Sequence, residues 1–361
     1  MPARHGSPAQ ADDRERPMRW YCRPAARSWT CAPAPDEVAA FHASLPGYAP
    51  TPLVELPSLA GELGVGRVFV KDESFRLGLP AFKILGVSWA LHRAEPASGV
   101  RLVAATDGNH GRALARAARL RGHAATIYTP DGVHPAAVAA ISGEGATVTA
   151  VRGTYDQAVL QAARDATRPA TLLVQDTAWP GYERIPAWIV EGYSTMFAEI
   201  DRQLELVHAA PPALVAVPVG VGSLAQAAVT HYRSRPDGPA PALLSVEPVA
   251  AACLLESLTR RRQITLVTGR TSMAGLNCGT PSALAWPYLR GGLDAAITVT
   301  DAAAAVAAGK LAALGVSSGP CGAAALAGAR AALTEHRDAL PVGPDSTLVL
   351  ISTEGRAANP A

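Results

Sequence analysis

Val215-Ala-Val-Pro218-Val219-Gly220-Val221-Gly222-Ser223-Leu224-Ala225 starts as an apolar run, passes through two glycines and enters an alanine-rich stretch. A short apolar run that stops at glycines reads as a buried strand, and the alanines after it read as a helix. Glycines let the backbone approach an anion closely, and the first turn of a helix offers free N–H groups and a partial positive charge. Ser223 adds a hydroxyl. The turn is not a Walker loop, because no lysine follows, nor a strict GxGxxG, because position 225 is Ala. Such turns also occur with no ligand, so the segment predicts an α/β sheet and makes phosphate one candidate ligand.

The same alternation extends along the chain in both directions. Strands are expected at Val68–Lys71, Leu102–Ala105, Ala125–Tyr128, Thr147–Val151, Thr171–Gln175, Leu214–Val217, Ala242–Val246, Ile297–Val299 and Thr347–Ile351. Helices are expected at Phe82–Ala94, Gly111–Leu120, Ala136–Gly143, Tyr155–Ala166, Trp188–Val207, Ser223–Arg233, Ala302–Leu314 and Gly322–His336. Strands alternating with helices of this length form a parallel α/β sheet with right-handed crossovers. In such sheets ligands sit beyond the carboxyl ends of the strands. Five chemically unusual segments fall there, around Lys83, Asp107, Asp176, Gly220 and Ser352.

Composition narrows the function. With 361 residues, 49% of them hydrophobic and 17% charged, the chain has the apolar content for two cores and is not disordered. A formal net charge of +2 gives no reason to expect a nucleic-acid or anionic-membrane partner. The longest uncharged stretch, Ala209 to Tyr232, is broken by Pro211, Pro212, Pro218, Gly220 and Gly222 and does not read as a membrane span. Cys22, Cys31, Cys253, Cys278 and Cys321 show no CxxC spacing, so no metal site is expected and free thiols in a reducing cytosol are. Residues 1–36 lack the apolar core of a signal peptide and are expected to form a mobile tail on a cytoplasmic protein.

Of the 32 basic residues only Lys71, Lys83 and Lys310 are lysines. Lys71 ends a strand beside Asp72 and Glu73, where a surface ion pair explains it. Lys310 lies on an amphipathic helix and reads as solvated surface. Lys83 opens a helix between Phe82 and Ile84 with no carboxylate close in sequence. Burial there is expected to lower its pKa, as an imine-forming amine requires. A lysine that snorkels from a helix end is the plainer reading. A lysine together with a phosphate-binding glycine turn suggests pyridoxal phosphate.

From about Phe41 to Gly355 the chain resembles the diaminopropionate ammonia-lyases of the tryptophan-synthase-β group, the fold-type II pyridoxal-phosphate enzymes. The stretches that carry the resemblance include Val70-Lys-Asp-Glu-Ser74, Ala81-Phe-Lys83, Ala105-Thr-Asp-Gly-Asn-His-Gly111 and Gln175-Asp-Thr-Ala-Trp179. Gly181-Tyr182, Gly220-Val-Gly-Ser223, Met273-Ala-Gly-Leu276 and Ile351-Ser-Thr-Glu-Gly355 complete them. The wider group shares only the lysine, the asparagine and the glycine turn.

The resemblance implies roles residue by residue. Lys83 would bind the coenzyme aldehyde as an imine and exchange protons at the substrate α-carbon. Asn109 would hydrogen-bond the coenzyme's phenolic oxygen, while Gly220, Val221, Gly222 and Ser223 would hold its phosphate. Thr353, with Ser352 beside it, would face the pyridine nitrogen. Asp107 would be a second acid/base and Asp176 would help bind the substrate amine. Asp107 also reads as the N-cap of the helix after it, His110 reads as a packing or loop residue, and Trp179 and Trp188 read as core. A hydroxyl cannot protonate the pyridine nitrogen, so the ring is a weaker electron sink and favours expulsion of a β-leaving group.

The resemblance also implies two parallel α/β domains with the cofactor in the cleft between them. Residues 37–88 and 200–361 would form the larger domain, 89–199 a smaller mobile one, and the protein would be a homodimer. The expected reaction turns 2,3-diaminopropionate, a small amino acid, into pyruvate and ammonia. Two other readings stay open: a dehydratase or β-replacement enzyme on another β-substituted amino acid, and a non-catalytic ligand-binding descendant. Departures from the family pattern bear on substrate choice. Pro80 stands where Asn is usual, Ala137 replaces an arginine, and Ser317 and Pro320 replace glutamates. The chain also stops six residues after Gly355.

Overall fold

The computed structural model of the chain describes residues 18–106, 108–235 and 240–358. In chain order it opens with β1 (Trp20–Cys22), α1 (Glu37–Ala43), β2 (Leu53–Glu55), α2 (Pro57–Leu63), β3 (Arg67–Asp72) and α3 (Ile84–Ala94). Next come β4 (Arg101–Ala105), α4 (Asn109–Leu120), β5 (Ala125–Thr129), α5 (Pro135–Gly143), β6 (Thr147–Ala150), α6 (Tyr155–Asp165), β7 (Thr171–Leu173) and α7 (Arg184–Leu206). Then follow β8 (Pro212–Pro218), α8 (Ser223–Arg233), β9 (Ala242–Pro248), α9 (Cys253–Thr259), α10 (Ala285–Gly292), β10 (Ala295–Val299), α11 (Asp301–Ala313), α12 (Pro320–Glu335) and β11 (Thr347–Ser352).

The strands form two sheets, one of seven in the order β1-β10-β9-β8-β11-β3-β2 and one of four in the order β6-β5-β4-β7. The smaller sheet is wholly parallel. The larger is parallel except at its borders, where β1 runs antiparallel to β10 and β2 antiparallel to β3. Helices cover both faces of the larger sheet, which is why β8 reads as a continuous apolar run. Its side chains alternate. Val215 and Val217 join a core with α3, α7 and α8, whereas Leu214 and Ala216 face α2, α11 and α12.

Two expectations need correcting. Residues 18–36 do not form a loose tail, because Trp20–Cys22 pairs with Ala295–Ile297 and the Arg23 amide donates to the Asp294 carbonyl. Three residues are too short for a period to be legible in the sequence; residues 1–17 lie outside the described part. Lys71 is not a surface residue. It is fully buried, its Nζ donating to Glu199 Oε2 at 2.6 Å and to the Thr51 carbonyl at 2.8 Å. Arg76, equally buried, bonds both Glu199 and Glu73, so one network ties the end of β3 and the loop after it to α7. Among the described residues no helix is long and apolar enough to cross a membrane.

Glu247, fully buried at the end of β9, accepts from the Leu254 and Leu255 amides at 2.8 and 2.7 Å. Burial outweighs those bonds and pushes its carboxyl up to about 8. A carboxyl raised in the fold binds a proton more tightly there than in the unfolded chain. Its contribution is therefore whole below its ordinary value near 4.5 and is lost as pH rises through 8. Glu247→Gln is expected to remove that loss, on the order of a few kcal/mol. Urea midpoints measured from pH 5 to pH 9 should fall more steeply for the wild type than for the variant, and parallel curves would refute this.

Candidate active site

The carboxyl ends of β4, β8 and β11 face one cleft, whose empty space is about 750 Å³ counting its mouth. Lys83, Asn109, Asp176, the Gly220–Leu224 turn and Thr353 all line it. Each arrives by a different local device.

After β8 the chain turns at Gly220-Val221-Gly222 and α8 starts at Ser223. Gly222 has φ +98°, and a Cβ there would lie 2.6 Å from Leu289 Cδ1. A Cβ on Gly220 would lie 2.9 Å from the Gly275 carbonyl. The turn therefore needs glycine for both conformation and space, and it leaves the first-turn amides of α8 at the cleft. The Ser223 hydroxyl donates to the Asp176 carbonyl at 2.6 Å, and the Val221 carbonyl accepts from the Ser282 amide. The turn is thus tied to the segment that carries Asp176. Gly222→Ala is expected to cost about 1–3 kcal/mol through backbone strain and overpacking. Thermal melts would measure the loss, and an unchanged Tm would contradict it.

Lys83 sits at the head of α3. Its Nζ donates to Asp176 Oδ2 at 2.6 Å and lies 5.2 Å from the centre of the Phe82 ring. The expectation of a lowered lysine pKa is therefore corrected. Burial does push it down, but the Asp176 carboxylate outweighs burial and holds the amine above its ordinary value. Burial likewise opposes ionisation of Asp176, and the Lys83 and His110 charges overcome it, holding the carboxyl below the usual carboxylate range. Sequence distance hid this pair.

Asn109 is the first residue of α4 and donates from Nδ2 to Glu354. Asp107 lies outside the described residues. Thr353 lines the cleft directly after β11, whereas the Ser352 hydroxyl points behind it to Ser318 Oγ at 2.8 Å. Among the departures, Pro80 accepts from the Gly355 amide, and Ala137 is buried in α5.

Sequence reading gave His110 a packing role and gave Glu354 none. His110 is 4% exposed, donates from Nε2 to the Val174 carbonyl at 2.7 Å, and holds Nδ1 3.7 Å from Asp176 Oδ2. Burial lowers its pKa, with Asp176 opposing and Lys83 reinforcing. His110 Nδ1 is one of the buried polar atoms that lack a hydrogen-bond partner. Its place beside Asn109 in the Asp-Gly-Asn-His-Gly run was the available signal. Gln175 holds the neighbourhood together by exchanging bonds with the Ala105 main chain and donating to Tyr155 Oη.

Residues 44–354 match the family model described as pyridoxal-phosphate dependent enzyme. The chain is 38% identical over 295 residues to diaminopropionate ammonia-lyase of Salmonella typhimurium, covering 74% of this chain and 73% of that one. It is 35% identical over 350 residues to the Escherichia coli diaminopropionate ammonia-lyase, covering 87% and 86%. The crystal structure of diaminopropionate ammonia lyase from Escherichia coli in complex with an aminoacrylate-PLP azomethine reaction intermediate superposes with a TM-score of 0.85. That match covers 94% of each chain at 32% identity.

Proposed function

The chain belongs to the pyridoxal-phosphate dependent enzyme family, and we propose that it eliminates ammonia from 2,3-diaminopropionate. With one water, the reaction yields pyruvate and two ammonia. The cleft suits pyridoxal phosphate on its own chemistry. It offers an amine for the aldehyde, a glycine turn at a helix start for the phosphate, an amide donor in Asn109 and a hydroxyl in Thr353. When bound, the coenzyme supplies an electron sink for the pair left at the substrate α-carbon.

The remaining work falls to this chain's own side chains. Lys83 holds the coenzyme and moves the α-proton. Gly220, Val221, Gly222 and Ser223 hold the phosphate, with the main-chain amides as donors because the Ser223 hydroxyl is engaged with Asp176. Asn109 faces the phenolic oxygen. Thr353, backed by Ser352, meets the pyridine nitrogen. Asp107 serves as a second acid/base. Asp176 receives the substrate's β-ammonium where it now holds that of Lys83 and keeps it protonated, so that it departs as neutral ammonia.

The observation that carries this reading is the Lys83–Asp176 contact at the mouth of the glycine turn, an amine and an acid at 2.6 Å in one cleft. The working form is a cytoplasmic homodimer on kinship alone, and a monomer at sedimentation equilibrium would overturn that part. The experiment is pyruvate release, coupled to lactate dehydrogenase, from diaminopropionate and from serine. Turnover of diaminopropionate supports the reading; turnover of serine alone makes the protein a dehydratase. Asp176→Asn is expected to lower kcat/KM by about 10²- to 10³-fold. An unchanged kcat/KM would exclude Asp176 from holding the departing amine.

A further inference from the structure

Glu354 follows the strand end that carries Thr353 and is 1% exposed. Its main chain is fixed on two sides. It bridges Ala81, two residues before Lys83, and its carbonyl accepts from the Gly319 amide at 2.9 Å. Its carboxylate is divided between two helices. Oε1 accepts from the Cys321 amide in the first turn of α12 at 3.3 Å, and Oε2 accepts from Asn109 Nδ2 at the start of α4. One buried acid therefore joins the segment leading to Lys83, the head of α12 and the asparagine of the cleft.

An amide side chain can turn over and exchange its nitrogen for its oxygen at little intrinsic cost, unless a neighbour accepts only one of them. A carboxylate oxygen accepts and does not donate, so it selects the amide nitrogen. We propose that Glu354 is a positioning residue that locks the Asn109 amide with its nitrogen on the Glu354 side. One N–H is then spent on Glu354 and the other is left for the coenzyme's phenolic oxygen. This rests on the reading that Asn109 faces that oxygen. Glu354 lines the cleft beside Thr353 and acts by holding the Asn109 amide. Its effect reaches the coenzyme as a fixed donor, which stabilises negative charge on the phenolic oxygen and so sets the coenzyme's visible band and the pH at which that band changes.

The test is a double-variant cycle on the holoenzyme with Glu354→Gln and Asn109→Ala, read by the visible spectrum across pH and by coenzyme affinity from quenching of intrinsic fluorescence. Glu354→Gln, whose own amide can present either atom to Asn109, should shift the pH midpoint of the band and weaken coenzyme binding about tenfold. Asn109→Ala should shift the midpoint in the same direction, and adding Glu354→Gln to it should change nothing further. Glu354→Asp keeps the charge, shortens the reach and should give a smaller shift of the same sign; it serves if the Gln variant does not fold. A midpoint that moves in Asn109→Ala but not in the Glu354 variants overturns the proposal and leaves the reading of the cleft intact. Additive shifts overturn it as well. A midpoint indifferent to Asn109→Ala shows instead that the reading of Asn109 has failed.

Discussion

Lys83→Ala is expected to abolish the coenzyme's protein-bound visible band and to lower elimination by about 10⁴-fold. The chain has three lysines. Lys71 is sealed in the network with Glu199, and Lys310 pairs with Glu62 at the surface, so neither lines the cleft that Lys83 lines. Among the described residues no second amine lines the cleft. The pairing with Asp176 predicts a further cost, because alanine leaves a buried carboxylate without its cation. Lys83→Arg separates the two effects. It restores a charge beside Asp176, and should recover stability, but it cannot capture the aldehyde and should not recover turnover. Borohydride treatment of the wild type should fix the coenzyme on the peptide containing Lys83, as read by mass spectrometry. A Lys83→Ala protein that still turns over, or still fixes the coenzyme, would end the proposed function.

The largest loss of stability is expected from Glu199→Ala. Its carboxylate meets Lys71 at 2.6 Å, Arg76 at 2.6 and 2.7 Å, and Tyr48 Oη at 2.7 Å. Lys71 and Arg76 are fully buried. Removing the shared acid strands the Lys71 ammonium away from water and leaves Arg76 with Glu73 alone, at a cost of about 3–5 kcal/mol. Glu199→Gln keeps an acceptor and should lose less. The pH dependence has a definite sign. Burial pushes the Glu199 carboxyl up, but Arg76 and Lys71 prevail and hold it below its ordinary value. Its contribution is therefore present above that ordinary value and is lost as pH falls through the depressed one. The gap in denaturant midpoint between wild type and Glu199→Ala should be wide at pH 7 and should shrink towards the acid end. Equal midpoints at pH 7 would show that the network contributes nothing.

These two sites also mark where sequence reading succeeds and where it stops. The helix expected at Ser223–Arg233 and the strand before it stand in the structure, because apolar runs, glycines and alanines act through neighbours in the chain. Gly220 and Thr353 share one cleft, as the carboxyl ends of the adjacent parallel strands β8 and β11 suggest, and Lys83 and Asn109 join them from the heads of α3 and α4. What stayed hidden depends on partners remote in sequence. Nothing beside Lys71 announces Glu199, and nothing beside Lys83 announces Asp176. The border strands β1 and β2 escaped for another reason, since three residues carry no readable period.

The seating of β11 between β3 and β8 has a consequence for how the protein is made. That strand lies late in the chain yet occupies the middle of the larger sheet. A ribosome-bound chain without it holds two separate ribbons, each with a bare edge where the missing strand belongs. Thr353 and Glu354, which close one wall of the cleft, emerge later still. Translation thus delays competence until Thr347–Glu354 have emerged, and the growing polypeptide must be shielded from sticking to its neighbours until then.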